Sequence, residues 1–392
     1  MTPSTLLSRR GLLALAGGAT AGSALLDPAW FQSEQRLDAT VADDAWSMAR
    51  RDPGRTGFVA RGPSKAAEVA WTRRLGRPPT GLGLAVAAGR VYTAAWDTLV
   101  ALDASDGTTE WEFTPALGRL AGNVPLETPP VATDAGVFVG SEEGFYALDR
   151  AGGRRWRYET DSRSDGVLVV GTTVFLSAEQ GSEPLVALDT ESGLPRWRRE
   201  STPVLPQAFA DGAVVGAAQE GWNADVGAVS ARTGRTRWTR SFDETRVGTP
   251  TPTVVGGTVL FGSETLSALA LDDGSTRWRY RLGTDDTAGP VTDGETAYVV
   301  AGDSVVALDV ASGSRRWRRV VDGLNARSPP VVTSETLYAG AEEGIVALDT
   351  ATGDERFRIT VEGLSPSSLA FVAGALYVAD ETTVVALREG AQ

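Results

Sequence analysis

Three pairs of adjacent carboxylates, Glu142-Glu143, Asp285-Asp286 and Glu342-Glu343, are the residues whose type best suits acid–base or metal chemistry. Such a pair can exchange protons with a substrate or hold Ca²⁺. Glu-Glu-Gly is also ordinary turn chemistry in an acidic chain, and no D-x-[DN]-x-[DN]-G calcium loop accompanies any of the pairs. The chain has no cysteine and no histidine, which excludes disulfides, thiolate and imidazole metal sites, cysteine nucleophiles and a Ser-His-Asp relay. The expectation is therefore no catalytic residue and no metal site. A second group suits binding: Trp96 and Trp222, aromatics outside any repeat, and Arg119, Arg163, Arg246 and Arg327, which could hold an anionic group.

The formal charge is −13, and Lys65 is the only lysine. An acidic, lysine-poor surface argues against nucleic acid, which would want a basic stripe, and resembles adaptation to high salt.

What positions these residues is a repeat. Val305–Val320 reads VVALDVASGSRRWRRV: an apolar strand into Asp309, a turn with Gly313, and a second strand presenting Trp317. The frame recurs with aromatics Trp71, Trp111, Trp156, Trp197, Trp238, Trp278, Trp317 and Phe357, at a period of roughly 40 residues, which suits four-stranded β-propeller blades. The strands preceding the turns end at Asp103, Asp149, Asp189, Ser230, Asp272, Asp309, Asp349 and Arg388. The two series are offset. Trp71 has no partner strand before it, and Val384–Leu387 has no aromatic strand after it. The strand around Val69–Arg74 should therefore complete the last blade, leaving no open edge. The expected fold is all-β: an eight-bladed propeller of four-stranded antiparallel blades over residues 69–392.

In the seventh blade the expected strands are Pro330–Thr333, Thr336–Gly340, Ile345–Asp349 and Glu355–Ile359. Each frame aromatic should fill the gap between neighbouring blades. The connections from fourth to first strand and from second to third strand share the mouth of the axial channel. Two look long there, Thr114–Pro129 and Ala217–Val226. Trp96, Trp222 and the four arginines should sit on this face.

The repeated A-L-D-x-x-x-G-x-x-x-W resembles the PQQ-like (quinoprotein-type) β-propeller family, which includes the propeller lipoprotein of the outer-membrane barrel-assembly machine. The resemblance implies either a scaffold that binds protein or cell-surface polymer partners, or a quinone dehydrogenase using PQQ and Ca²⁺. The chain lacks the large insertions and vicinal cysteines of the family's dehydrogenases, and the cysteine that the lipoprotein lipidates. The scaffold is the expected role, as a monomer with no cofactor. PQQ and Ca²⁺ belong to the alternative.

Ahead of the repeats, Ser8-Arg9-Arg10 and the apolar run Gly11–Leu26 read as a twin-arginine (Tat) export signal over residues 1–26, with a cleavage candidate at Ala19-Thr20-Ala21. An extracytoplasmic protein is expected, touching a membrane only through an uncleaved signal. Residues 27–68 read as linker and lead-in, and the turn-rich stretch Trp46–Gly57 should pack that lead-in on the repeat body.

Overall fold

The computed structural model describes residues 32–63, 67–75, 83–115, 124–178, 184–199, 204–220, 223–242, 251–326 and 328–389, with backbone alone at 218–220 and 223–224. The described strands form eight antiparallel sheets of four. Each sheet is one blade, with strands A to D running from the channel axis outward. Seven are consecutive in the chain. The eighth takes A, B and C from Ser368–Val372, Ala375–Ala379 and Thr383–Arg388, and D from Glu68–Arg74. The first strand thus closes the ring: Val69 pairs with Leu387, Trp71 with Ala386 and Thr72 with Val385.

Side-chain alternation accounts for the layers. Strands B and C are packed on both faces and are almost wholly buried, as in Thr336–Ala341 and Gly344–Asp349 of blade 7. Strand D shows one face to solvent, and Arg315–Val320 of blade 6 buries only Trp317. Strand A of blade 7 is just Val331–Val332, shorter than the sequence suggests, while D runs to Thr360. Inner strands converge on the axis, and little length can pair there.

Blades are joined by their frame tryptophans. Trp317 donates its indole N–H to Thr350 O at 2.9 Å, in the C–D turn of the next blade. The same bond runs from Trp71 to Ala104, Trp111 to Arg150, Trp156 to Thr190, Trp197 to Ala231, Trp238 to Leu271 and Trp278 to Val310. Each ring lies against the turn's glycine. At Gly353 (φ 75°) a Cβ would fall 2.6 Å from the Trp317 ring, so only glycine allows the approach. Phe357 is the exception, and geometry explains it. It faces blade 8, where C and D come from opposite ends of the chain, so no C–D turn offers a carbonyl to an indole.

Two sequence expectations are corrected. Strand C of blade 5 ends at Ala270, not Asp272. Gly274 N bonds Ala270 O as Gly313 N bonds Asp309 O, so Ala270 holds the frame position and the following aspartates belong to the turn. Ala217–Val226 is no loop. Blade 4 extends strands B and C, Ala213–Glu220 and Asn223–Ser230, into a hairpin paired as far as Glu220 with Asn223. Strand D follows it to Phe242, whose ring packs on Phe261 at 5.6 Å between centroids.

Candidate functional site

The D–A and B–C connections gather at one end of the channel, the mouth. Trp96 lies there in the B–C turn of blade 1, in the left-handed region (φ 50°) and 39% exposed. Its carbonyl accepts Leu126 N at 2.7 Å, which ties this turn to the connection entering blade 2. The neighbouring Asp97 is fully buried and accepts the Thr98 hydroxyl. Arg163, in the connection entering blade 3, lies 3.6 Å from Glu127 and 3.7 Å from Asp165. Asp165 is its near neighbour in sequence, on strand A, but Glu127 comes from a different connection, a juxtaposition invisible in sequence. Trp222, Arg119, Arg246, Arg327 and the segment 1–26 lie outside the described residues.

The carboxylate pairs reach the mouth on separate blades. Glu142-Glu143 sits in the B–C turn of blade 2, Glu342-Glu343 in that of blade 7, and Asp285-Asp286 in the connection entering blade 6. Glu143 is 4.0 Å from Arg157. Among the described residues, no three of Asp, Glu, His and Cys converge where a metal could bind.

The other end of the channel is closed by the lead-in. Ser33 bonds Asp189, itself in a buried ion pair with Arg196 at 2.7 Å. Burial pushes Asp189 up, but hydrogen bonds from Ser33 and Ser192 outweigh it and hold it below the usual carboxylate range. The chain then enters the channel and passes once round the axis, giving one carbonyl to each of six inner strands. Val86 N bonds Trp46 O and Ala132 N bonds Ser47 O; Phe209 N bonds Pro53 O and Val254 N bonds Gly54 O. Thr292 N then bonds Thr56 O, and Val332 N bonds Gly57 O, each at 2.7–3.0 Å like the rest. Inner-strand amides that would otherwise be buried without partners are satisfied by this turn of chain. The lead-in leaves by the end it entered, where Ser334 bonds Ala60 O and Tyr338 bonds Pro63 O.

Tight turns let the segment fit. Arg50, Arg51 and Arg55 adopt φ of 58°, 73° and 61°, and at Gly57 (φ 65°) a Cβ would meet Val291 Cγ1 at 2.6 Å. Arg50, buried against the inner strands of blades 5 and 6, is an arginine that sequence reasoning did not single out. Its guanidinium donates only to neutral acceptors: Thr253 Oγ1, Pro290 O and Thr251 O at 2.8–3.0 Å, and Pro252 O at 3.4 Å. Burial, with Arg55 nearby, lowers it to about 9 against the pull of Asp52. Trp46 is 1% exposed inside the channel, packed with Leu84, Val86 and Val331. The turn-rich sequence Trp46–Gly57 was the available signal; that its partner is the channel wall was not in it.

PQQ with Ca²⁺, the group that quinoprotein propellers imply, does not fit the described residues. The inner-wall amides of six blades are already bonded to the lead-in, and no carboxylate set converges for calcium.

A family model described as outer membrane protein assembly factor BamB matches residues 64–203 and 222–391. BamB from Moraxella catarrhalis aligns at TM-score 0.63 and 19% identity, covering 82% of this chain and 100% of that one. The computationally designed Ika8 protein aligns at TM-score 0.68 and 15% identity, covering 82% and 99%. Quinohemoprotein alcohol dehydrogenase from Comamonas testosteroni aligns at TM-score 0.65 and 15% identity, covering 90% and 82%. At these identities the structures speak to the fold alone. The serine/threonine-protein kinase AfsK of Streptomyces griseus is 33% identical over 174 residues, 41% of this chain and 21% of that protein. The chain thus spans about a fifth of the kinase's length.

Proposed function

The chain belongs to the family of the outer membrane protein assembly factor BamB, and on that premise we propose that it is a non-enzymatic extracytoplasmic scaffold. It binds a protein partner through the mouth of its channel. The observation that carries this reading is the asymmetry of the ring. One end is sealed by the protein's own lead-in, whereas the other presents connections that depart from the repeat, including the exposed Trp96. Repetition serves the fold, and a rigid scaffold reads partners with the loops that break it. BamB by its name serves an outer-membrane assembly, which supports a protein partner and a location beyond the cytoplasm. Export belongs to the same proposal, through Ser8-Arg9-Arg10 and the apolar run after it.

The test is photo-crosslinking in cells from position 96 at the mouth and from position 256, in an A–B turn at the sealed end. A defined protein adduct is expected from position 96 alone, and Trp96→Ala should reduce capture while melting like wild type. Adducts from position 256 alone, or none from either, would overturn the reading. Normal export of an Arg9→Lys/Arg10→Lys variant would remove its twin-arginine element.

A further inference from the structure

We infer that the sealed end holds a site at blade 3 for a small cationic amide, a ligand with one ammonium group and a peptide bond. The site lies opposite the mouth and does not depend on the scaffold reading. The first observation is a break in the lead-in. Successive blades are bonded by neighbouring residues: Trp46 and Ser47 serve blades 1 and 2, Pro53 and Gly54 blades 4 and 5, Thr56 and Gly57 blades 6 and 7. Between Ser47 and Pro53 the chain folds on itself, with Ser47 N bonded to Arg51 O and Arg51 N to Met48 O at 3.1 and 2.8 Å. Blade 3 is passed without a backbone bond. Blade 8 is passed as well, after the lead-in has turned out toward Ala60.

Register identifies the backbone group that is passed at blade 3. In blades 2 and 4 the bonded residue, Ala132 or Phe209, immediately precedes the last pair of its A–B hairpin, Thr133 with Gly136 or Ala210 with Ala213. Val169 holds that place in blade 3, before the pair of Val170 with Thr173. Antiparallel ladders alternate, so the residue before a bonded pair turns its N–H and C=O away from the partner strand. On strand A, away from strand B is toward the axis. Val169 therefore presents to the axis what Val86 presents in blade 1, where one residue, Trp46, bonds both its N–H and its C=O. A ligand with a peptide bond can add to this inner edge as Trp46 does.

The second observation is a cavity of about 410 Å³ between the lead-in and the A–B turns of blades 1 to 3, with Val169, Ser47 and Met48 on its wall. Its size is within the roughly 300–1,000 Å³ of small-molecule sites. Ser47 is only 6% exposed, and its hydroxyl makes no hydrogen bond to the described residues. A backbone donor and acceptor and a buried hydroxyl thus border one space. Charge then sets the class of ligand. Asp38, Asp44 and Asp134 line the cavity, and its one cation, Arg150, is spent on Asp134 at 2.6 Å. Asp38 accepts the amide of Thr40, whereas Asp44 has no ion pair or side-chain hydrogen bond among the described residues. The excess of carboxylate favours an ammonium group on the ligand.

The experiment uses the full chain and glycylglycinamide as probe. Calorimetry should show saturable one-to-one binding. N-acetylglycylglycinamide keeps the amides but loses the charge, and should bind at least about tenfold more weakly. Ser47→Ala should weaken binding of the probe about fivefold and Asp44→Asn about threefold. Glu295→Gln, at the same end but on blade 6, should leave it within about twofold. Amide hydrogen exchange read by NMR locates the ligand. In the free protein Val169 should exchange faster than Ala132, Phe209 and Val254, and the probe should slow Val169 alone. Equal protection of these four amides in the free protein would overturn the inference, as would binding that leaves Val169 unchanged. Absence of binding would also overturn it, and so would equal affinity for the acetylated probe. None of these outcomes alters the crosslink from position 96, so the two proposals stand or fall separately.

Discussion

The two ends of this ring are made from the same repeat and have opposite characters. At the sealed end, a turn of chain bonds six inner strands, frame tryptophans hold the C–D turns, and Asp189, Asp309 and Asp349 sit in internal ion pairs. At the mouth, the connections depart from the repeat, carry acidic pairs on separate blades, and leave Trp96 39% exposed. The difference teaches where the molecule spends its interactions: one end consumes them in folding, and the surface proposed for a partner is the end that does not. Buried, mutually satisfied groups stabilise a fold, whereas exposed like charges cost some stability and are kept for encounter.

The comparison breaks if changes at the sealed end prove harmless. Gly57→Val should have the largest effect, because the new Cβ meets Val291 and the residue must keep φ near 65°. A loss of about 3–5 kcal/mol is expected in denaturant unfolding, combining overpacking with left-handed strain. Trp317→Ala should cost about the same, since the ring is 6% exposed between blades. Trp317→Phe should lose only about 1 kcal/mol, the worth of the bond to Thr350 O. Phe357→Trp should gain nothing, because no turn carbonyl awaits the new N–H. A gain there would show that our account of the seam is wrong.

Acid should sharpen the contrast. Asp309 is lowered to about 2, first by the hydrogen bond from Arg316 and then by those from Ser312. Its folded value lies below its unfolded one, so its stabilisation is complete above about pH 4 and fades as pH falls toward 2. The melting midpoint of Asp309→Asn should therefore fall less than that of wild type between pH 4 and 2. Parallel curves would remove Asp309 from the account. The smallest effect is expected at the mouth: Glu342→Gln/Glu343→Gln should shift unfolding by no more than about 0.5 kcal/mol, with either sign.

Most of the fold was legible because periodic constraints repeat themselves. An A-L-D strand, a glycine turn and a tryptophan, recurring at one spacing and offset by one strand, define both blade and closure. The error at Ala270 came from a local degeneracy, since Leu271-Asp272-Asp273 imitates the frame two residues late. The blade 4 hairpin was misread because Gln219–Asp225 is polar, and a strand pair that leaves the body needs no apolar alternation. The mouth was legible as a face but not in its electrostatics. Arg163 looked available in sequence, and only the fold brings Glu127 to it. Arg50 was illegible as a buried residue because its acceptors lie two hundred residues away, on strands that converge only once the ring exists.

The lead-in dips into the channel and emerges through the same end. Had it entered by one end and left by the other, pairing of Glu68–Arg74 with Thr383–Arg388 would have trapped a chain passing through a hole, a threading that proteins almost never undertake. A loop with both ends on one side imposes no such order. It can seat after the ring has closed, or lift without opening it. The slow step of assembly, bringing the first strand to the last across more than three hundred residues, is then left with a search problem and no topological one.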